Sequence, residues 1–198
     1  MKKLIFAVLG LAIAGVAVFF LFFSSGKKEG PRPEKQKPLA IEDNTGAFNK
    51  SYNVLLSAYI SVKDALVAGD TTKASAAART LSIAADSLQV SEIKGDSMLK
   101  ETARVFATTV SSSALGLAGE PDIKAKRKEF QMIADAMWTL TQTVQYDGQK
   151  LYWHYCPMAF NNSGAYWMSN EREIRNPYFG NEMLECGSVQ DSLDYSKK

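Results

Sequence analysis

The sequence predicts a mainly α-helical domain, an antiparallel bundle of about four helices completed by a small C-terminal lobe of short strands and turns. Three observations carry this. Apolar residues recur every three or four positions between about residues 45 and 146, the period of helices with one buried face. Short breaks containing Gly, Asp or Pro separate those stretches, and a short connection favours antiparallel neighbours. After residue 150 the chain becomes aromatic and sulfur-rich, and Leu151 to Tyr155 has the composition of a strand.

In order, the first region is 1–26. Lys2 and Lys3 precede an unbroken apolar run from Leu4 to Phe23. A run of about 20 residues spans a bilayer as a helix. It is longer than the core of most cleaved signals and lacks an A-x-A-like end, although cleavage after Gly26 is the alternative. The expectation is an uncleaved transmembrane helix, with residues 4–23 in the inner membrane and the domain in the periplasm. Residues 27–44 begin KKEGPRPEKQKP, a proline-rich charged linker that stays solvated. Seven basic against two acidic residues before residue 41 leave +5 there, so a formal net charge of +2 leaves −3 on the remainder. A mildly acidic folded part without a basic stripe argues against nucleic acid as a partner.

Residues 45–148 hold the helices. The first is expected over Thr45 to Ala68, with Phe48, Tyr52, Leu55, Tyr59, Val62 and Leu66 on one face. Asp70 or Thr71 caps the second, an alanine-rich helix over Thr72 to Leu88. The third is expected over Ser97 to Leu115, carrying Met98, Val105, Phe106, Val110 and Ala114, and stopped by Gly116 and the Gly119-Glu120-Pro121 turn. The fourth, Asp122 to Tyr146, has Phe130, Ile133, Met137, Leu140 and Val144 as its stripe. The run Lys124 to Lys128 reads as a solvated face.

Residues 149–198 hold the chemistry. The only histidine, His154, and the only cysteines, Cys156 and Cys186, lie here. In an extended strand His154, Cys156 and Met158 project to one side, and Trp153 and Tyr155 to the other. Pro157 suits an edge strand or the end of a strand. The turn at Asn176 to Gly180 folds the chain back. A helical turn over Asn181 to Cys186 places Met183 and Cys186 on one face, and the tail from Asp191 is expected to fray.

Thiolate and thioether ligands favour soft ions, copper(I) above all. The candidate ligands are His154, Cys156, Met158, Met183 and Cys186, with Trp153 or Trp167 as a ring covering the cation. A thioether-rich set does not suit zinc. The competing reading is a Cys156–Cys186 disulfide, the commoner fate of two cysteines outside the cytoplasm. Catalysis is not expected. Residues two apart in a strand are separated by about 6.6 Å, a poor start for a thiol–imidazole pair.

Several stretches resemble a bacterial family of unknown function, DUF3347. They are His154-Tyr-Cys156-Pro157-Met158-Ala159, Gly164-Ala165-Tyr-Trp167-Met-Ser169, Glu173 through Gly180, and Met183-Leu184-Glu-Cys186-Gly187. Tyr59 through Val67 also looks like that family's first helix. The resemblance extends over roughly Ala47 to Leu193. It implies a domain found alone behind an export segment or fused to periplasmic adaptor subunits of heavy-metal efflux pumps. It thereby implies copper handling, with efflux components as partners. The expected function is a membrane-tethered soft-metal module that sequesters the ion or passes it to an efflux system. The alternative is a non-catalytic structural or interaction domain with the disulfide.

Overall fold

Four long helices fold up and down, and a three-stranded antiparallel sheet closes one side. The computed structural model describes residues 44–196. The expected anchor at 4–23 and most of the linker lie outside those residues. Among the described residues no helix is long and apolar enough to cross a membrane.

The helices are α1 Gly46–Val67, α2 Thr71–Asp86, α3 Ser97–Gly119 and α4 Ile123–Val144. Each begins at a polar cap whose side chain accepts from an early backbone N–H: Thr45, Asp70, Asp96 and Asp122. Gly69, at φ +69°, makes the tight α1–α2 turn. The α1 and α4 stripes expected from spacing are all buried. Large rings join these two helices: Tyr59 stacks on Phe130 at 5.4 Å between centroids. Tyr52 stacks on Tyr146, just past α4, at 4.3 Å and shares a hydrogen bond with Thr141. The alanines of α2 and α3 allow closer packing. Ala74 and Ala78 face the core with Ala103, Ala107 and Ala114, and Ser82 bonds Ser111 between the helices at 2.9 Å.

Helix α3 departs from expectation twice. It does not stop at Gly116 but runs to Gly119, because Leu117 and Ala118 still face the core. Its buried stripe is Leu99, Ala103, Ala107, Val110, Ala114 and Leu117, whereas Met98 and Val105 are exposed. Small residues hid the true face, since alanine adds little to an apolar pattern.

The basic run on α4 is also corrected. Lys124 and Lys128 are exposed, but Lys126 and Arg127 are buried. The antiparallel bundle puts the N-terminus of α4 beside the C-termini of α1 and α3. Lys126 Nζ donates to the carbonyls of Leu117 and Glu120 at the end of α3, and to Ser75 Oγ of α2. Arg127 Nη2 donates to the Leu66 carbonyl at the end of α1, at 3.2 Å. Two cations thus satisfy the negative ends of neighbouring helices.

In the sheet the strand order is β2-β1-β3, with β1 Leu151–Cys156, β2 Ala165–Ser169 and β3 Ser188–Leu193. β1 is therefore central, and Pro157 marks its end rather than an edge. Of the tail expected to fray from Asp191, residues 191–193 are the end of β3, whose pairing with β1 shifts register between Trp153 and His154. The single helical turn expected over 181–186 is replaced by two tighter ones: a 3₁₀ turn occupies Gly180–Glu182, and Cys186 N–H then donates to the Met183 carbonyl at 3.1 Å.

The free edge of β2 meets the bundle. Met168 N–H donates to the Tyr59 hydroxyl at 3.0 Å, and the Tyr178 hydroxyl donates to the Tyr166 carbonyl. Two tyrosines thereby occupy backbone groups that an open edge would leave unpaired.

Replacing Lys126 with Met keeps the buried stem but removes three donated bonds. The expected cost is about 2–3 kcal/mol, read as a lowered urea midpoint at unchanged slope. The same replacement at exposed Lys128 leaves the midpoint nearly unmoved.

Candidate soft-metal and thiol site

Strand alternation separates the candidate residues by face. His154 and Cys156 are fully buried. Trp153 and Tyr155 occupy the other face, where Trp153 stacks on Trp138 at 4.8 Å and on Tyr166 at 5.3 Å. Trp153 is therefore on the opposite side of the sheet from the thiol. Trp167, the β2 partner of His154, is buried with its ring edge-on to the imidazole at 5.2 Å.

The second half of the site arrives on the loop between β2 and β3. Its organiser is Asn176, fully buried. Its Oδ1 accepts from the N–H groups of Tyr178 and Phe179, and its Nδ2 donates to the Cys186 carbonyl at 2.7 Å. Its backbone donates to Leu184 O and accepts from Gly180 N. One side chain thus folds the loop back on itself and sets the position of Cys186. Gly180, at φ +59°, has no room for a side chain. A Cβ there would lie 2.6 Å from the Val67 carbonyl and 2.7 Å from the Arg127 guanidinium.

The result is a thiol pair. Cys156 Sγ and Cys186 Sγ lie 3.1 Å apart, one buried and the other half-buried. Their shared hydrogen bond, with burial second, pushes the Cys186 thiol up to about 11. Met158 and Met183 line one groove of about 620 Å³ between this lobe and the start of α4. Met158 is 47% exposed. Opposite α4 the groove wall is the turn Phe160-Asn161-Asn162, three successive residues with left-handed φ of 51°, 58° and 66°. Met168 is not part of this group; it is core, in contact with Thr141.

His154 is buried between rings, and burial followed by the nearby Lys63 charge pushes its pKa down to about 4. Neither ring nitrogen has a hydrogen-bond partner among the described residues, and the same holds for Trp167 Nε1. Lys63, also buried, pairs with Asp64 at 2.9 Å. Among the described residues no group of three or more His, Cys, Asp and Glu side chains is arranged to hold a metal. A metal at this site therefore depends on the two cysteines and on thioether sulfur. The sequence pointed to the two sulfur clusters and to a turn at Asn176 to Gly180, but not to the buried side-chain roles of Asn176, Lys63 and Arg127. Only for Asn176 was there a signal, the Asn-Pro pair that opens a turn.

Two measurements probe this arrangement. Asn176→Ala leaves buried backbone groups unpaired and is expected to cost about 2–3 kcal/mol. It also frees Cys186 to react faster with a thiol-specific chromogenic reagent. For His154 the folded pKa lies below the unfolded value near 6.5, so the unfolded state binds the extra proton first. Stability is complete above about pH 6.5 and is lost as pH falls toward 4. The loss from this group is up to about 3 kcal/mol. Denaturant titrations across that window are expected to show a shallower slope for His154→Gln than for the native chain.

No curated protein and no solved structure matches this chain. One family matches, described as a protein of unknown function (DUF3347), over residues 55–149. The match runs from mid-α1 to the end of α4 and stops before β1, so every candidate ligand lies beyond the matched residues. It carries no link to efflux adaptors. The helical bundle of this chain belongs to the DUF3347 family.

Proposed function

We propose that this chain is a membrane-tethered, extracytoplasmic module that binds a soft metal, copper(I), and sequesters it or passes it to an efflux system. It is a binding module and not an enzyme. The observation that supports the reading is the 3.1 Å approach of Cys156 and Cys186, brought together across 30 residues of chain. Two thiolates suit copper(I) in low coordination, and thioether sulfur is the soft supplementary donor. Met158 follows Cys156 by two residues, and Met183 precedes Cys186 by three. In this reading copper displaces both thiol protons, so affinity rises with pH. His154 stands on the same strand face as a further nitrogen donor.

The same approach favours a second reading, a disulfide staple. Closing that loop adds roughly 3–4 kcal/mol by chain entropy. Copper(I) titration of the reduced full-length chain under nitrogen, against a competing chelator, separates the two. Binding of one ion is expected, lost in Cys156→Ser/Cys186→Ser. In Met158→Ala/Met183→Ala it is expected to weaken by roughly tenfold or more, as for residues that support a metal site. No binding by the reduced chain, with no free thiols in protein isolated without reductant, establishes the staple instead.

A further inference from the structure

The groove that Met158 and Met183 share is built from two kinds of residue. Met158, Phe160 and Met183 give it a soft apolar side. Lys124, Arg127 and Lys128, from the first two turns of α4, give it a cationic side. Glu182 is the single carboxylate lining it. Lys124 and Lys128 are exposed and make no ion pair among the described residues. Arg127 is only 9% exposed. Its Nη2 is used on the Leu66 carbonyl, while its Nε has no hydrogen-bond partner. Glu182 is the electrostatic neighbour of this charge, yet Nε still has donor capacity left over. The helix N-terminus adds to the same sign of potential.

The volume, about 620 Å³, suits a short extended segment or a small molecule. A concave site does not suit a flat bilayer surface. Basic and thioether residues together match an occupant with carboxylates and soft or apolar side chains in one stretch. We infer that this groove is the docking surface for an acidic, methionine-bearing segment of a partner protein. Its carboxylates lie along Lys124 and Lys128, and its thioethers lie against Met158 and Met183. The segment's cargo rests on the copper reading above, because the groove then brings a donor's sulfur ligands beside Met158 and Met183. Contact between the two surfaces does not rest on it.

The test uses the full-length chain and a short synthetic peptide of alternating aspartate and methionine, fluorescently labelled. The control peptide carries lysine for aspartate. Fluorescence anisotropy is read first without copper. The acidic peptide is expected to bind in low salt and weaken as salt rises, and the lysine peptide is expected not to bind. Lys124→Glu/Lys128→Glu, at exposed positions, is expected to lower the affinity about tenfold with an unchanged urea midpoint. Equal affinity in that variant, equal binding of the two peptides, or no binding of the acidic peptide overturns the proposal. Transfer of copper(I) from the loaded peptide is then followed in the native chain and in Cys156→Ser/Cys186→Ser. Docking without transfer refutes the copper reading and leaves the docking surface standing.

Discussion

The lobe exists as a sheet because its inner edge is closed by the bundle. Strand β2 is an edge strand, and an edge presents unpaired backbone groups. Here Tyr59 of α1 accepts from Met168, and Tyr178 donates to Tyr166. Both hydroxyls are carried on rings that are themselves core: Tyr59 stacks on Phe130, and Phe130 lies 6.0 Å from Tyr178. Burial raises the pKa of both tyrosines, so they stay neutral and hydrogen-bonding. β1 pairs with β2, and His154 and Cys156 are buried. Docking of the sheet on the bundle thus buries one half of the thiol pair.

A second constraint works at one end of the bundle. Up-and-down connectivity gathers the C-termini of α1 and α3 next to the N-terminus of α4. Lys126 and Arg127 would be poorly placed on their own helix, whose N-terminus repels cations. They are tolerated because they complete the carbonyls of the neighbouring helices. This end also carries the groove. Arg127 belongs to both, holding α1 with one nitrogen while its guanidinium lies beside Gly180 of the loop that carries Cys186. Structure-building and site-building groups share residues there, so mutations at Arg127 are unsuited to separating them.

The loop from Asn176 to Cys186 joins these two constraints. Asn176 turns the chain, Gly180 lets it pass against the end of α1, and Cys186 is delivered to Cys156. The same loop carries Met183, which lines the groove together with Met158. Each methionine lies close in sequence to one cysteine of the pair. His154, Trp167 and Lys63 are buried and shielded from solvent.

Much of this was determined by the sequence itself. Bulky apolar residues at helical spacing set the faces of α1 and α4, because burying Tyr, Phe and Leu dominates the energy wherever they recur. The Asp70 cap set the start of α2, and strand alternation divided His154 and Cys156 from Trp153 and Tyr155. Where the side chains are small, the pattern was silent: the face of α3 rests on alanines, and its length on Leu117 and Ala118. Tertiary structure alone decided the rest. Lys126 and Arg127 are buried because other helices end beside them, which no local window encodes. Residues 188–193 are a strand only because β1 offers a partner for an otherwise polar tail. Cys156 and Cys186 meet because a buried asparagine bends the chain between them, and that bond network is a product of packing rather than of spacing.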